Sequence, residues 1–196
     1  MPRPLAFDPI EEAARRWEAR WPKAAPAMAA ATSVVRVHQL VVAAVDAALR
    51  PYGLTFARFE ALRLLAFSRE GALPLSRMGP RLMVHPTSVT NVVDRLEADG
   101  LVERVPHPTD RRTTLARITP AGRALVEEAT EAVNASGFGL DALGEDQARA
   151  LVALLRPVRA AAGDFSAQGP ADPEPLPAPR PAPRPKARST NTRTSK

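Results

Sequence analysis

Residues 86–119 read PTSVTNVVDRLEADGLVERVPHPTDRRTTLARIT, and the fold is decided here. Pro86 opens a helix at the position where a missing N–H costs least. Val89, Val92, Val93 and Leu96 follow at i, i+3, i+4 and i+7, the spacing of one buried helical stripe. The other face carries Thr87, Ser88, Thr90, Asn91 and Arg95. Small hydroxyls and an amide near a helix N-terminus donate and accept hydrogen bonds without blocking close approach, which suits base edges and phosphates. Asp99-Gly100 ends this helix, predicted over 86–99, with a residue that tolerates left-handed backbone. Residues 101–105 and 113–118 form two strands, joined by the loop PHPTDRR at 106–112. Its two prolines stiffen it, and Arg111 and Arg112 close it. A rigid loop bearing guanidinium groups suits a narrow, electronegative minor groove. Asp110 is expected to hold one of those arginines by accepting from its fork.

Upstream, residues 76–83 fit a short helix with Met78 and Leu82 facing in. Pro80 removes an N–H from it, so it depends on tertiary support. Val84 and His85 form the turn, and His85 is pushed towards extended geometry by the proline after it. Thr55 is placed to cap a helix ending near Phe67, whose buried face is Phe59, Leu62, Leu65 and Ala66. Leu73, Pro74 and Leu75 make an extended bridge too short to stand alone as a sheet. Residues 55–118 thus read as helix, helix, helix and wing.

The flanks are helical. Residues 27–50 contain no Gly or Pro, and Val34, Val37, Leu40 or Val41, Val45 and Leu49 recur at helical spacing. Such a helix is about 36 Å long, and a second chain is the natural supplier of cover for its apolar faces. Thr119-Pro120 starts another helix. Ser136, Gly137, Phe138 and Gly139 break it. A last helix over about 144–162 has Glu145 and Asp146 where the dipole favours them. Its stripe is Leu151, Leu154, Leu155 and Val158, and Pro157 is expected to kink it. Residues 26–54 and 119–165 read as a helical dimerisation region. Residues 1–25 form an extension with one short helix, on which Trp17 and Trp21 share a face. That face either docks as extra packing or places one indole in an effector pocket. His38, on the long helix, is either a half-buried polar position or an effector contact.

Composition narrows the function. The 196 residues contain no cysteine, which excludes disulfides, thiolate-bound metal and thiol redox sensing. Three histidines, 38, 85 and 107, stand without visible carboxylate partners at triad or metal spacing, and no Gly-rich phosphate loop is present. An enzyme is not expected, nor a metal, nor a cofactor. No apolar run approaches the roughly 20 residues of a membrane span, and residues 1–21 lack the apolar core of a secretion signal. A soluble cytoplasmic protein is expected. Of the formal charge of +6, residues 166–196 carry +4, from Arg180, Arg184, Lys186, Arg188, Arg193 and Lys196 against Asp172 and Glu174, leaving +2 for the rest. Bulk basicity is therefore weak evidence for nucleic-acid binding, and the local clustering in the loop is better evidence. Eight of the 21 prolines lie in 166–196, which reads as a disordered Pro/Arg-rich tail.

The run VTNVVDRLEADGLVERVPHPTDRRTTLARITPAGRAL resembles the MarR family of bacterial transcriptional regulators. DRLEADGLVER, the loop HPTDRR and the following ITPAGRAL carry the likeness, which extends over about residues 27–162. It implies a mainly α protein with a small β-wing, a homodimeric winged helix-turn-helix. The flanking helices would build the dimer and helix 86–99 would enter the major groove of double-stranded DNA at a pseudo-palindromic site. Asp110 resembles the wing aspartate and Arg112 the arginine that reaches DNA. The family often binds a small anionic aromatic or amphipathic effector between its dimer and DNA parts. Trp17 and Glu60 resemble features of the urate-responsive branch, but Val92 stands where that branch has an arginine, so urate does not fit. The expected function is a transcriptional regulator, a repressor relieved by a small ligand. The alternative is a winged-helix protein-interaction module using the Pro-rich tail.

Overall fold

The computed structural model describes residues 5–110 and 112–165. Arg111 and the tail 166–196, on which two of the expectations above fall, lie outside the described residues. Seven helices and three strands follow in order: α1 Pro9–Glu18, α2 Ala25–Leu49, α3 Phe56–Phe67, β1 Ala72–Pro74, α4 Leu75–Leu82, α5 Pro86–Ala98, β2 Val102–Pro106, β3 Thr114–Ile118, α6 Pro120–Ala135 and α7 Glu145–Ala161. The expected helix–helix–helix–wing order is present.

The bridge at 72–74 does not stand alone. It pairs antiparallel with β3, as does β2, giving the order β1-β3-β2. Leu73 lies opposite Ala116, and Val105 opposite Leu115. Three strands with one face on helices form a stable unit where two would be marginal. Under the sheet, Leu62, Leu65, Met78, Val93, Leu96 and Val126 are fully buried in one core that also takes Val45 and Leu49 of α2.

Local chemistry sets the helix ends. Asp8 caps α1 by accepting from the Ile10 N–H at 2.7 Å. The expected Thr55 cap is corrected: its hydroxyl makes no capping bond. Asp46 of α2 accepts the Phe56 N–H instead, at 2.7 Å, which pins the start of α3 to the long helix. Thr119 caps α6 as expected, accepting from the Gly122 N–H at 3.0 Å. Its hydroxyl also donates to the Gly100 carbonyl at 2.8 Å. The helix leaving the wing is thus tied to the turn entering it. Pro80 lies inside the eight-residue α4, which stops at Met83 in left-handed conformation.

Two flanking helices show little burial. Residues 30–40 of α2 are exposed throughout, and α7 has no buried residue. Leu154 and Val158, expected on the packed stripe of α7, are 73% and 67% exposed. Ala25–Tyr52 is also long and apolar enough to cross a membrane by length and composition, which corrects the expectation that no segment approaches that threshold. An Ala- and Val-rich helix meets such a test without long aliphatic runs, and this one carries Arg36, His38 and Gln39 midway.

Candidate nucleic-acid interface

The polar face of α5 begins with a cap that the sequence reading missed. The His85 Nδ1 accepts from the Thr87 N–H at 3.3 Å and lies 3.1 Å from its hydroxyl. The same device recurs in the wing, where His107 Nδ1 accepts from the Thr109 N–H at 3.3 Å and the Asp110 N–H at 3.2 Å. Both sites read His-Pro-Thr, at 85–87 and 107–109. Proline fixes one backbone angle, and the imidazole closes the turn as an Asx side chain would. The repeated tripeptide was a legible signal. Backbone N–H groups can only donate, so in each turn Nδ1 is the accepting ring nitrogen.

Val89, Val93 and Leu96 anchor α5 in the core and Val92 is half-buried. Pro86, Thr87, Ser88, Thr90, Asn91 and Arg95 are exposed. Thr90 donates back to the Pro86 carbonyl at 3.3 Å. Ser88 also lines a small apolar cavity with Glu60, so it sits at the edge of the polar face.

The wing loop closes on itself. The His107 N–H donates to the Thr113 carbonyl at 3.1 Å and the Thr113 N–H to the Asp110 carbonyl at 3.0 Å. Asp110 holds Arg112, by its backbone and not by its fork; Arg111, the other arginine of that expectation, lies outside the described residues. The Asp110 Oδ1 accepts the Arg112 backbone N–H at 3.0 Å, and its Oδ2 the Thr113 hydroxyl at 2.7 Å. The geometry is a short Asx-type turn in which the carboxylate fixes backbone. The Arg112 side chain is exposed and makes no ion pair among the described residues. The Thr113 hydroxyl and then the Arg112 N–H hold the Asp110 carboxyl below the ordinary carboxylate range.

Three acids on or beside α5 face inward partners. Arg104 of β2 pairs with Asp94 at 2.6 Å and with Glu97, and its backbone N–H donates to Glu97 Oε1 at 3.0 Å. Arg58 of α3 pairs with Asp99. These contacts tie α5 to the wing strand and to α3 and offset part of the negative charge on its surface. Replacing Arg104 with Met should keep the fold within about 1 kcal/mol, since such exposed pairs contribute little. It should free Asp94 beside Asn91 and Arg95 and weaken DNA binding several-fold. Thermal melting with a DNA titration of the variant checks both halves.

The effector candidates do not converge. Trp17 and Trp21 pack with ring centroids 4.8 Å apart and planes tilted by 47°, with Arg20 over Trp21, on an exposed face. His38 is exposed on α2. Glu60 lines the small cavity with Ala57, Met78, Leu82, Val84 and Ser88, a space of about 40 Å³ that fits a water better than an organic molecule. Burial there raises the Glu60 pKa. A raised carboxyl favours the folded state at low pH, and that contribution is lost as pH rises through the folded value. Glu60→Gln should therefore raise the melting temperature at pH 7, with the gain shrinking as pH falls towards about 4. Melting curves across pH test the sign.

A MarR family model matches residues 54–114. The crystal structure of Sco5413, a MarR family transcriptional regulator from Streptomyces coelicolor, is 55% identical, with 71% of this chain and 97% of that one covered at a TM-score of 0.66. The chain belongs to the MarR family. Members of the MarR family are transcriptional regulators, not enzymes. A mutant MarR from E. coli, solved in complex with operator DNA, is 25% identical over 72% of this chain and 96% of that one, at a TM-score of 0.60. MhqR, an HTH-type transcriptional regulator of Bacillus subtilis, is 38% identical over 80 residues, covering 41% of this chain and 54% of that protein. The chain spans about half the length of the curated relatives it matches.

Proposed function

We propose that this MarR-family chain is a homodimeric, sequence-specific DNA-binding repressor acting in the cytoplasm and relieved by a small ligand. The carrying observation is the charge arrangement of α5 and the wing: the exposed acids are paired with Arg104 and Arg58, while Arg95 and Arg112 make no ion pair among the described residues and stand exposed with Thr87 and Asn91. In this reading α5 enters the major groove, with Thr87, Ser88, Thr90, Asn91 and Arg95 facing bases and phosphates and Pro86 setting the helix start. The wing 106–112 reaches the minor groove through Arg112, positioned by Asp110, with Arg111 beside it. The complex of the E. coli relative with operator DNA supports it.

Unmet burial supports the dimer. Val34, Val35, Val37 and Leu40 on α2, and Val152, Leu154 and Val158 on α7, are large apolar side chains in solvent, more than a lone chain leaves uncovered. A second copy would bury them and hold two α5 helices for the two halves of a pseudo-palindrome. Sedimentation should give twice the 21.0 kDa chain mass.

A gel shift with the DNA around the protein's own coding sequence tests the function. The wild type should retard that DNA in preference to random sequence, and Asn91→Ala or Thr87→Ala should change which sequences are preferred. Binding without sequence preference would sink the reading.

A further inference from the structure

Two of the three histidines hold equivalent places in α5 and in the wing. His85 sets the start of α5, and its Nδ1 accepts the N–H of Thr87, the first hydroxyl residue of the exposed polar face. His107 opens the wing turn, and its Nδ1 accepts the N–H groups of Thr109 and Asp110. Asp110 in turn accepts the Arg112 N–H, so His107 is linked to the backbone of the wing arginine through Asp110. Only an unprotonated Nδ1 can accept. An imidazolium carries N–H on both nitrogens and would set donor against donor at all three amides. Histidine is also the side chain that changes charge between about pH 5 and 8. His85 is exposed and His107 half-buried, so protons reach both.

We propose that His85 and His107 are positioning residues that make DNA sequence selection depend on pH, each holding its element only while its imidazole is unprotonated. As pH falls, the Thr87 end of α5 and the turn carrying Arg112 lose their acceptors together, and base selection weakens. The added positive charge acts the other way on phosphates. Total affinity therefore carries both effects, while the ratio of affinities for specific and random DNA carries the first. Several charges surround each ring. His107 lines a groove under the wing with Arg69, Glu70, Arg77 and Arg81, and Asp110 and Arg112 share its turn. Near His85 stand Arg81 at the end of α4 and Arg159 of α7, which donates to the Met83 sulfur. Glu60 of α3 lines the small cavity with Val84 and Ser88. The arginines disfavour an imidazolium, and the three acids favour it. The effect on DNA rests on the function proposed above; the two turns do not.

Nitrogen NMR of both imidazoles, on the full chain without DNA, tests the turns. At about pH 8 each should carry its proton on Nε2, and the Thr87, Thr109 and Asp110 amide signals should shift with their imidazole as pH falls to about 5.5. A proton on Nδ1 at the higher pH in either turn overturns the proposal. Anisotropy with the DNA around the coding sequence and with random DNA tests the consequence. The affinity ratio should fall at least about fivefold across that range, the loss of about one helix cap. Asparagine offers an Oδ1 acceptor for the same turn and does not titrate. His85→Asn/His107→Asn should therefore keep the ratio within about twofold of wild type at the higher pH and hold it at the lower, although Glu60 can still titrate. His85→Leu/His107→Leu, which offers no acceptor, should show the low ratio at both. A wild-type ratio that ignores pH, or an equal fall in the asparagine variant, overturns the proposal. Absence of DNA binding at any pH would overturn the regulator reading and the selectivity claim with it, while the NMR still decides the turns.

Discussion

Gly122→Ala should destabilise the protein by about 2 kcal/mol or more, lowering its melting temperature by about 4–8 °C. Intrinsic propensity argues the other way, because alanine in a helix is favoured over glycine by about 1 kcal/mol. Sterics decide the sign. Gly122 is buried in the first turn of α6, and a Cβ there would run into the Leu101 carbonyl, with the Leu101 carbonyl carbon at 3.0 Å and Ile118 Cγ1 at 3.1 Å. A backbone carbonyl has no rotamer to escape into. This one is also engaged, accepting the Thr119 N–H at 3.1 Å. Relief would require α6 to lift off the turn between α5 and β2, disturbing Val126, Ala129 and Val133, which are buried below. Ala121→Gly, one residue earlier and exposed, should cost at most about 1 kcal/mol. Equal melting temperatures for Gly122→Ala and the wild type would show that the close approach does not exist in solution.

Much of this was legible in the chain, and the illegible part has a common cause. The α5 stripe, the Gly100 stop, the Thr119-Pro120 cap and the wing strands all follow from neighbours in sequence, where spacing and backbone preference act directly. The misplaced features depend on distant partners. Thr55 had the right chemistry for a cap, but Asp46, on another helix, reaches the Phe56 N–H from ten residues away. Arg58, Arg63 and Arg104 look like surface charge in the sequence. In the fold, Arg63 spans to α6, donating to the Val126 carbonyl at 2.7 Å and pairing with Glu127 at 3.0 Å. For Asp110 the reason is of another kind. A carboxylate beside two arginines suggested a side-chain pair; towards Arg112, two residues of separation favour the local Asx turn over a fork contact, while Arg111 lies outside the described residues. For the interface, residue types on α5 marked its polar face correctly as exposed. The pairing of the adjacent acids with Arg104, which makes that face usable, required the β2–α5 packing. The groove under the wing was invisible in sequence, because its walls come from segments as far apart as the end of α3 and β3.

Arg112→Ala should weaken DNA binding about tenfold or more, across sequences, and reduce the slope of log affinity against log salt by about 1. Arg112 carries its charge at the end of a loop closed by backbone and side-chain bonds among Asp110, Arg112 and Thr113. Little backbone ordering entropy remains to be lost when it meets DNA. A flexible arginine tail of equal charge would contribute less for that reason. Asp110→Ala removes no positive charge and should still weaken binding, because the Arg112 N–H and the Thr113 hydroxyl lose their acceptor. In that variant the salt slope should stay close to the wild type while affinity falls, separating positioning from charge. The pH sign agrees. The Asp110 carboxyl is held below its ordinary value, so its support for the turn is complete above the unfolded value of about 3.9. It is lost only as pH falls through the lower folded value. Fluorescence anisotropy over a salt series at neutral pH therefore sees the wing intact. An unchanged affinity and slope for Arg112→Ala would remove the wing from the interface and leave α5 as the DNA-reading element.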